Sequence, residues 1–297
     1  MEAPVNAPIT PPRLKVGIVS AGRVGTALGE ALTRAGHQVV AVHAVSDASR
    51  DRAQRRLPSA RIATVPQVVS ASDLIVLAVP DTELAAVAET VARSVRPGQM
   101  VAHTAGSQGV GVLAPIAETG AMVLALHPAM TFVGTGEDTE RLSSSCFGIT
   151  AADGIGEAVA TSLVEEMGGT PVLIAEGDRT LYHAALAHGA NNLIALISDA
   201  VTALDAAIAD DRVTPGLAQE ILGPLVRASL DNVLAMGPAA LTGPVARDDV
   251  AAVARHLEAL QGLPDPGIAG AYRTLAGRAA VQSHASQAML DLCEVTA

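Results

Sequence analysis

A chain of 297 residues, 49% of them hydrophobic and 16% charged, is long enough for two domains and too apolar to be disordered. A net charge of −11 opposes binding to nucleic acid or acidic lipid, and an aromatic content of 1% leaves little to stack on bases. Cys146 and Cys293 spell neither a disulfide framework nor a zinc site, no signal peptide is visible, and the longest clean apolar run (residues 74–79) is far below the ~20 residues of a bilayer span, so the chain reads as soluble and cytoplasmic.

Residues 1–12 hold four prolines and read as a disordered tail. From residue 14 strands alternate with helices: strand 14–19, helix 22–35 stopped by Gly36, strand 38–43, polar helix 47–57, strand 73–79, a helix from 81 to about 95, strand 99–103, helix 110–119, strand 121–127, strand 146–150, a helix over 154–167 and strand 171–175. That alternation predicts an α/β Rossmann-type parallel sheet with both faces covered. Beyond about 175 the strand pattern stops. Residues 178–209, 217–236, 247–260 and 268–292 read as helices separated by Gly/Pro turns. The expected organisation is a dinucleotide-binding domain over 13–175 and an all-α substrate and dimerisation domain over 176–297.

The first strand runs into Ser20-Ala21-Gly22-Arg23-Val24-Gly25 as a helix opens. Gly22 and Gly25 fall at the second and third glycines of G-x-G-x-x-G, and Ser20 occupies the first. Gly22 would let a pyrophosphate approach the backbone at the helix N-terminus, where free N–H groups and a partial positive charge meet it, and Gly25 would let the helix pack tightly on the strand. After the second strand, Asp47 could read a ribose hydroxyl and so indicate NAD(H), or could simply cap a helix. Ser46, Ser49, Arg50 and Arg52 instead form a hydroxyl-rich basic patch suited to a 2′-phosphate, and NADP(H) is the favoured cofactor.

Ligands of such sheets lie beyond the carboxyl ends of the strands. Val79-Pro80-Asp81, His103-Thr104-Ala105-Gly106-Ser107 and His127-Pro128 fall there, the first along the cofactor, with Thr104, Ser107 and His127 as substrate contacts. The long helix carries His183, His188, Asn191 and Asn192 among small residues. A His can protonate a carbonyl oxygen as hydride arrives, and an Asn can orient it. Thr242-Gly243-Pro244 forms a rigid turn before Arg247, whose guanidinium fork suits a substrate carboxylate. No metal is implied.

The order Gly22-Arg23-Val24-Gly25, Val79-Pro80-Asp81, His127-Pro128, Tyr182-His183-Ala184-Ala185…Asn191 and Leu241-Thr242-Gly243-Pro244-Val245-Ala246-Arg247-Asp248 resembles bacterial Rossmann-like oxidoreductases with a helical C-terminal domain of uncharacterised function. The resemblance spans residues 14–292. The broader architecture is similar to 6-phosphogluconate dehydrogenase, β-hydroxyacid dehydrogenases, ketopantoate reductase and pyrroline-5-carboxylate reductase. It implies hydride transfer with NADP(H) to a small 2-oxo acid such as ketopantoate, and a homodimer formed through the helical domain. β-Hydroxyacid dehydrogenases and ketopantoate reductases use a Lys with an Asn on the first helix after the sheet. The single lysine here is Lys15. His188 with Asn192 repeats a spacing of four, and His183 with Asn191 a spacing of eight, so either His is a candidate proton donor. The same fold could also serve a non-catalytic cofactor sensor or scaffold.

Overall fold

The computed structural model describes residues 13–208 and 215–295; the expected tail over 1–12 lies outside them. The chain divides into two compact units, Met1–Ala187 and His188–Ala297.

The first unit is built on the sheet. Its elements are β1 (Lys15–Val19), α1 (Arg23–Arg34), β2 (Gln38–His43), α2 (Asp47–Arg56), β3 (Arg61–Ile62), α3 (Val65–Ala71), β4 (Leu74–Leu77), α4 (Asp81–Ala92), β5 (Met100–His103), α5 (Ala114–Ala117), β6 (Met122–Pro128), α6 (Glu137–Leu142), β7 (Cys146–Ala151), α7 (Gly154–Glu166) and β8 (Thr170–Leu173). The eight strands lie in the order β3-β2-β1-β4-β5-β6-β7-β8. β4 shows why. Its four residues, Leu-Ile-Val-Leu, are all buried: Leu74 and Val76 pack with residues of α1 and α7, Ile75 and Leu77 with residues of α3 and α4. A strand covered on both faces needs an unbroken apolar run, and its alternate side chains feed two cores.

The expected all-parallel sheet needs one correction, because β6 and β7 pair antiparallel. The link between them, residues 129–145, holds only the short α6, whereas a parallel return needs a crossover, usually a longer helix, across the sheet. β3, α3 and α6 were not foreseen. β3 is two exposed residues without a usable period, and α3 opens with Thr64 N–H donating to Gln67 Oε1.

After a 3₁₀ turn over Glu176–Asp178 comes α8 (Arg179–Ala207). The expected domain boundary at 175 falls where the strands end, but the first turns of α8 belong with the sheet. Arg179 Nη1 donates to the Gly148 carbonyl of β7 at 3.2 Å, and Tyr182 lies on the side-chain-free face of Gly148.

The rest of α8 and the remaining helices form the second unit: α9 (Leu217–Met236), α10 (Gly243–Ala246), α11 (Val250–Gln261), α12 (Pro266–Gln282) and α13 (Gln287–Leu292). Its core gathers Val253, Leu257, Ala276, Ala280, Met289 and Cys293. The helices expected over 247–260 and 268–292 differ at one point each. Asp248 (φ 58°) separates α10 from α11, and His284 (φ 55°) separates α12 from α13. Neither break carries glycine or proline as a marker. Asp248 Oδ1 accepts from both the N–H and the Oγ of Ser286, so its left-handed backbone holds the start of α13.

Candidate functional site

The strand order reverses between β1 and β4, and at such a switch point the loops diverge and leave a crevice. A cleft of about 480 Å³ lies there, lined by Val19, Ser20, Ala21 and Gly22 after β1, by His43 to Ser46, Ser49 and Arg52 around the end of β2, and by Val79, Pro80, Glu83 and Val87. Its floor is the start of α1. Gly22 is the N-cap, no side chain caps the helix, and its first turn carries no acidic residue. The first-turn amides therefore retain the free N–H groups and positive end of the dipole that attract an anion.

The turn has no slack. Ser20 and Ala21 both donate to the His43 carbonyl at 3.1 Å, and Ser20 takes φ 81°, the conformation usually given to glycine. A Cβ on Gly25 would meet the Ser20 carbonyl oxygen at 2.2 Å, whereas one on Gly22 would find only Ser20 Oγ at 3.6 Å. Gly25 is thus demanded by the fold. Gly22 is sterically free, and its bareness serves whatever approaches the amides.

Of the two cofactor-reading alternatives, the cleft contains the basic one. Ser46 and Ser49 line it, with Ser49 Oγ donating to the Ser46 carbonyl at 2.7 Å, and Arg52 crosses it to donate from Nη1 to the Ala21 carbonyl at 3.0 Å. Asp47 is fully exposed outside the lining. Arg50 is also outside it, reaching Ala44 O at 3.4 Å and lying 4.0 Å from Asp47. Of the two arginines of the expected patch, Arg52 lines the cleft and Arg50 does not. Arg23, Val24 and Gly25 form the first turn of α1, and Arg23 Nη1 reaches the Phe132 carbonyl.

Farther along the same sheet edge, beyond β5 and β6, imidazoles gather. His127 lies 5.8 Å from His183, ring centre to ring centre and edge to face, and 5.6 Å from Tyr182; its Nδ1 is 3.0 Å from Tyr182 Oη. Gly106 closes the group, since a Cβ there would fall 2.5 Å from His183 Cδ2 and 2.8 Å from His127 Nε2. Next to it Ser107 Oγ donates to Asp81 at 2.6 Å. Burial pushes the His127 imidazole down to about 4, helped by the neighbouring His183 and Arg179. At neutral pH it is an uncharged ring with one donor and one acceptor nitrogen.

His103 has a different fate. It is wholly buried, its Nε2 lies 2.9 Å from the Gly109 carbonyl, and its Nδ1 accepts from Ala105 N–H at 3.1 Å. Both nitrogens are spent on the loop, and burial holds it near 4 as well. Thr104 is turned into the core, beside an interior void lined by Leu28, Leu74 and Leu126, so it is not the pocket-lining hydroxyl that the sequence suggested.

The other expected residues lie in the second unit. His188, Asn191 and Asn192 are exposed on α8, and His188 Nδ1 is 2.8 Å from Asn192 Nδ2. Arg247 is exposed at the end of α10, and Thr242 begins that helix and lines an apolar groove. Sequence reasoning quoted Tyr182 within the motif without giving it a role and passed over Arg179. The available signal was an arginine and one of only two tyrosines, three residues apart at the head of the helix that carries His183 and His188.

Comparison with known proteins agrees with this architecture. Residues 1–128 match the Rossmann-like domain family, and residues 145–279 match the domain of unknown function DUF2520. No curated protein matches the chain. Among solved structures, it is similar to a Bacteroides fragilis protein provisionally named an NADP oxidoreductase (TM-score 0.75, 19% identity, 91% of this chain and 98% of that one). It is also similar to the pyrroline carboxylate reductase of Plasmodium falciparum with NADP bound (0.56, 11%, 91% and 98%) and to the reductive aminase of Aspergillus terreus in complex with NADPH (0.57, 17%, 95% and 92%). Among the described residues no helix is long and apolar enough to cross a membrane.

Proposed function

We propose that the chain is an NADP(H)-dependent reductase of a small 2-oxo acid, with ketopantoate (2-dehydropantoate) as the first substrate to test. One observation carries the reading. A glycine-constrained, uncapped helix start opens on a cleft at the sheet's switch point, and that cleft adjoins the imidazole cluster through consecutive residues: Pro80 lines the cleft, Asp81 holds Ser107, and Gly106 touches His127 and His183. The solved structures named for NADP or NADPH support the same cofactor. Kinship with the 6-phosphogluconate dehydrogenase and ketopantoate reductase group is part of the proposal.

When bound, a reduced nicotinamide supplies the hydride; the chain's residues must supply position and a proton. The amides of Gly22 to Gly25 suit the pyrophosphate, and Ser46, Ser49 and Arg52 suit a 2′-phosphate. His127 and His183 present ring nitrogens beside Gly106. His188, Asn191, Asn192 and Thr242 remain substrate-side candidates on the helical unit, with Arg247 as the carboxylate's clamp. The test is to mix the protein with NADPH and a panel of 2-oxo acids, with cyclic imino acids included, and follow absorbance of the reduced nicotinamide. Oxidation with one of the acids is expected. Tight NADPH uptake without oxidation by any of them would make the protein a cofactor sensor. Arg52→Ala is expected to weaken NADPH binding about tenfold and leave NADH binding unchanged, by titration calorimetry. Equal losses for both nucleotides would remove Arg52 from phosphate recognition.

The partner we propose is a second copy. α8 and α9 run for 29 and 20 residues, yet each buries one residue, Arg179 and Ala218 respectively. Ile194, Leu196, Leu225, Leu230 and Met236 are exposed, and Leu234 is 77% so. Between the two helices lies an apolar groove of about 610 Å³ lined by Leu193, Ile197, Leu225, Val233 and Leu241. A continuous apolar face of this extent is what obligate subunit contacts bury. Leu234→Asp is expected to convert a dimer into a monomer in light scattering coupled to size exclusion. A wild-type monomer would refute the assembly.

A further inference from the structure

The site holds a buried positive charge with no ion-pair partner among the described residues. Arg179 is 1% exposed. Its Nη1 donates to the Gly148 carbonyl, while Nε and Nη2 have no hydrogen-bond partner. The nearby carboxylate of Glu176 favours that charge from beyond ion-pair distance, its two oxygens accepting from Val110 N–H at 2.8 Å and Gly111 N–H at 2.9 Å. A buried guanidinium with two unpartnered nitrogens is costly, so a fold that keeps one gains where negative charge forms against it. The nearest group able to form it is Tyr182, whose ring centre lies 5.8 Å from Arg179 Cζ.

The sheet explains how Tyr182 comes to be there. His127 on β6 and Gly148 on β7 are directly opposed cross-strand partners. Because Gly148 has no side chain, the tyrosine ring lies flat over that position, with Cζ and Oη 2.6 Å from where a Cβ would stand, and its hydroxyl reaches His127 Nδ1. A phenol is a far stronger acid than a neutral imidazole N–H, so the phenol donates and Nδ1 accepts. The proton of His127 is then on Nε2, the nitrogen turned to Gly106.

We propose that Tyr182 is the positioning residue and proton source behind His127, which is the catalytic acid, and that Arg179 holds the charge left behind. This rests on the reductase reading. As hydride adds to the carbonyl carbon, the C=O π pair moves to oxygen, and that oxygen takes the Nε2 proton of His127. Nδ1 of the same ring takes the proton of Tyr182 Oη. The imidazole ends neutral in its other tautomer, the tyrosinate's charge sits over Arg179, and solvent returns one proton. A neutral ring can act this way without first becoming imidazolium. The pair is faced by His183, by Asp81 of α4, by His103 of β5, by Arg179 and by Cys146 of β7.

With only two tyrosines in the chain, a Tyr272→Phe background leaves Tyr182 as the only phenol to titrate by ultraviolet absorbance. Burial already raises its titration and Arg179 opposes that rise. Arg179→Met is expected to move the midpoint upward by about one pH unit or more, and Arg179→Lys to return it most of the way. Nitrogen-15 NMR of the wild-type protein is expected to show His127 neutral, protonated on Nε2 and accepting on Nδ1. An unmoved phenol midpoint, or a proton on Nδ1, overturns the proposal; the NMR result decides it alone where Arg179→Met does not fold. With an acid that the wild type reduces, Tyr182→Phe is expected to lower kcat at least tenfold at unchanged KM and NADPH affinity, and unchanged kcat overturns the relay. A wild type that reduces no acid instead removes the reductase reading, while the titration still decides the polarity of the pair.

Discussion

Gly25→Ala is expected to lower the stability of the protein by about 3 kcal/mol, the upper part of the range for forcing one methyl into a filled space. The methyl would stand 2.2 Å from the Ser20 carbonyl oxygen, with Ala78 Cβ and Ile18 Cγ2 each at 3.1 Å. A flexible neighbour could yield, but this one is backbone. Ser20 and Ala21 are both tied to the His43 carbonyl, and Ser20 already holds a left-handed conformation. Relief must come from moving α1 off β1, which also misdirects the amides at the helix start. Gly22→Ala is the matched control. Its methyl has ordinary clearance, so the urea midpoint is expected to stay within error while NADPH affinity falls at least tenfold, because the methyl occupies the approach to the same amides. Measured together, the two variants separate a residue required by the fold from one required by the ligand. Unchanged NADPH affinity in Gly22→Ala would show that this turn is not a phosphate cradle, and equal stability of the two variants would show that Gly25 is not demanded by the fold.

That contrast marks what was legible in the sequence. The position of both glycines at the first β–α junction was plain, as was the strand alternation, because apolar runs bounded by Gly and Pro are local patterns. So was their division of labour, Gly22 for a ligand's approach and Gly25 for close packing; what was not legible is that the Ser20 carbonyl oxygen is the atom that excludes a Cβ at Gly25, since that depends on where the carbonyl points. The choice between Arg50 and Arg52 was hidden for a related reason. Two residues apart on α2, they leave the helix in very different directions, and only the helix orientation puts Arg52 across the cleft. Tyr182 stood in the motif without a role because that role is set by Gly148, an unremarkable strand glycine until β6 and β7 place it opposite His127. Asp248 ends a helix with a left-handed backbone beside a side chain whose partner, Ser286, lies far along the chain, so no local pattern could mark that break.

The two strand-end histidines looked alike in sequence, and the structure divides their work: His103 ties its own loop and His127 faces the candidate site. They share one thermodynamic consequence, which gives the second large effect. Stability is expected to fall steeply as the pH drops from about 6.5 toward 4. Both imidazoles are held near 4 in the folded chain, mainly by burial, against 6.5 for an exposed histidine. The unfolded chain therefore binds protons first. The stability these two groups contribute is complete above 6.5, is lost through the window between the two values, and changes no further below about 4. Each accounts for about 3 kcal/mol at most over that range, so the pair rivals a sizeable part of a typical domain's 5–15 kcal/mol. His37, also kept low chiefly by burial, acts in the same direction. Glu30 does not confuse the reading. Burial raises its carboxyl, but hydrogen bonds from Arg56 and Thr139 more than offset this and hold it below 4.5, so its contribution is lost only at more acid pH. Urea unfolding at pH 7.5, 6.5, 5.5 and 4.5 is expected to show a slope of more than one proton between 6 and 5, and His103→Gln a shallower one. Constant stability from 7.5 to 5 would mean that these rings titrate alike in the folded and unfolded chain, and would remove the burial that keeps the His127 imidazole uncharged below pH 6.5.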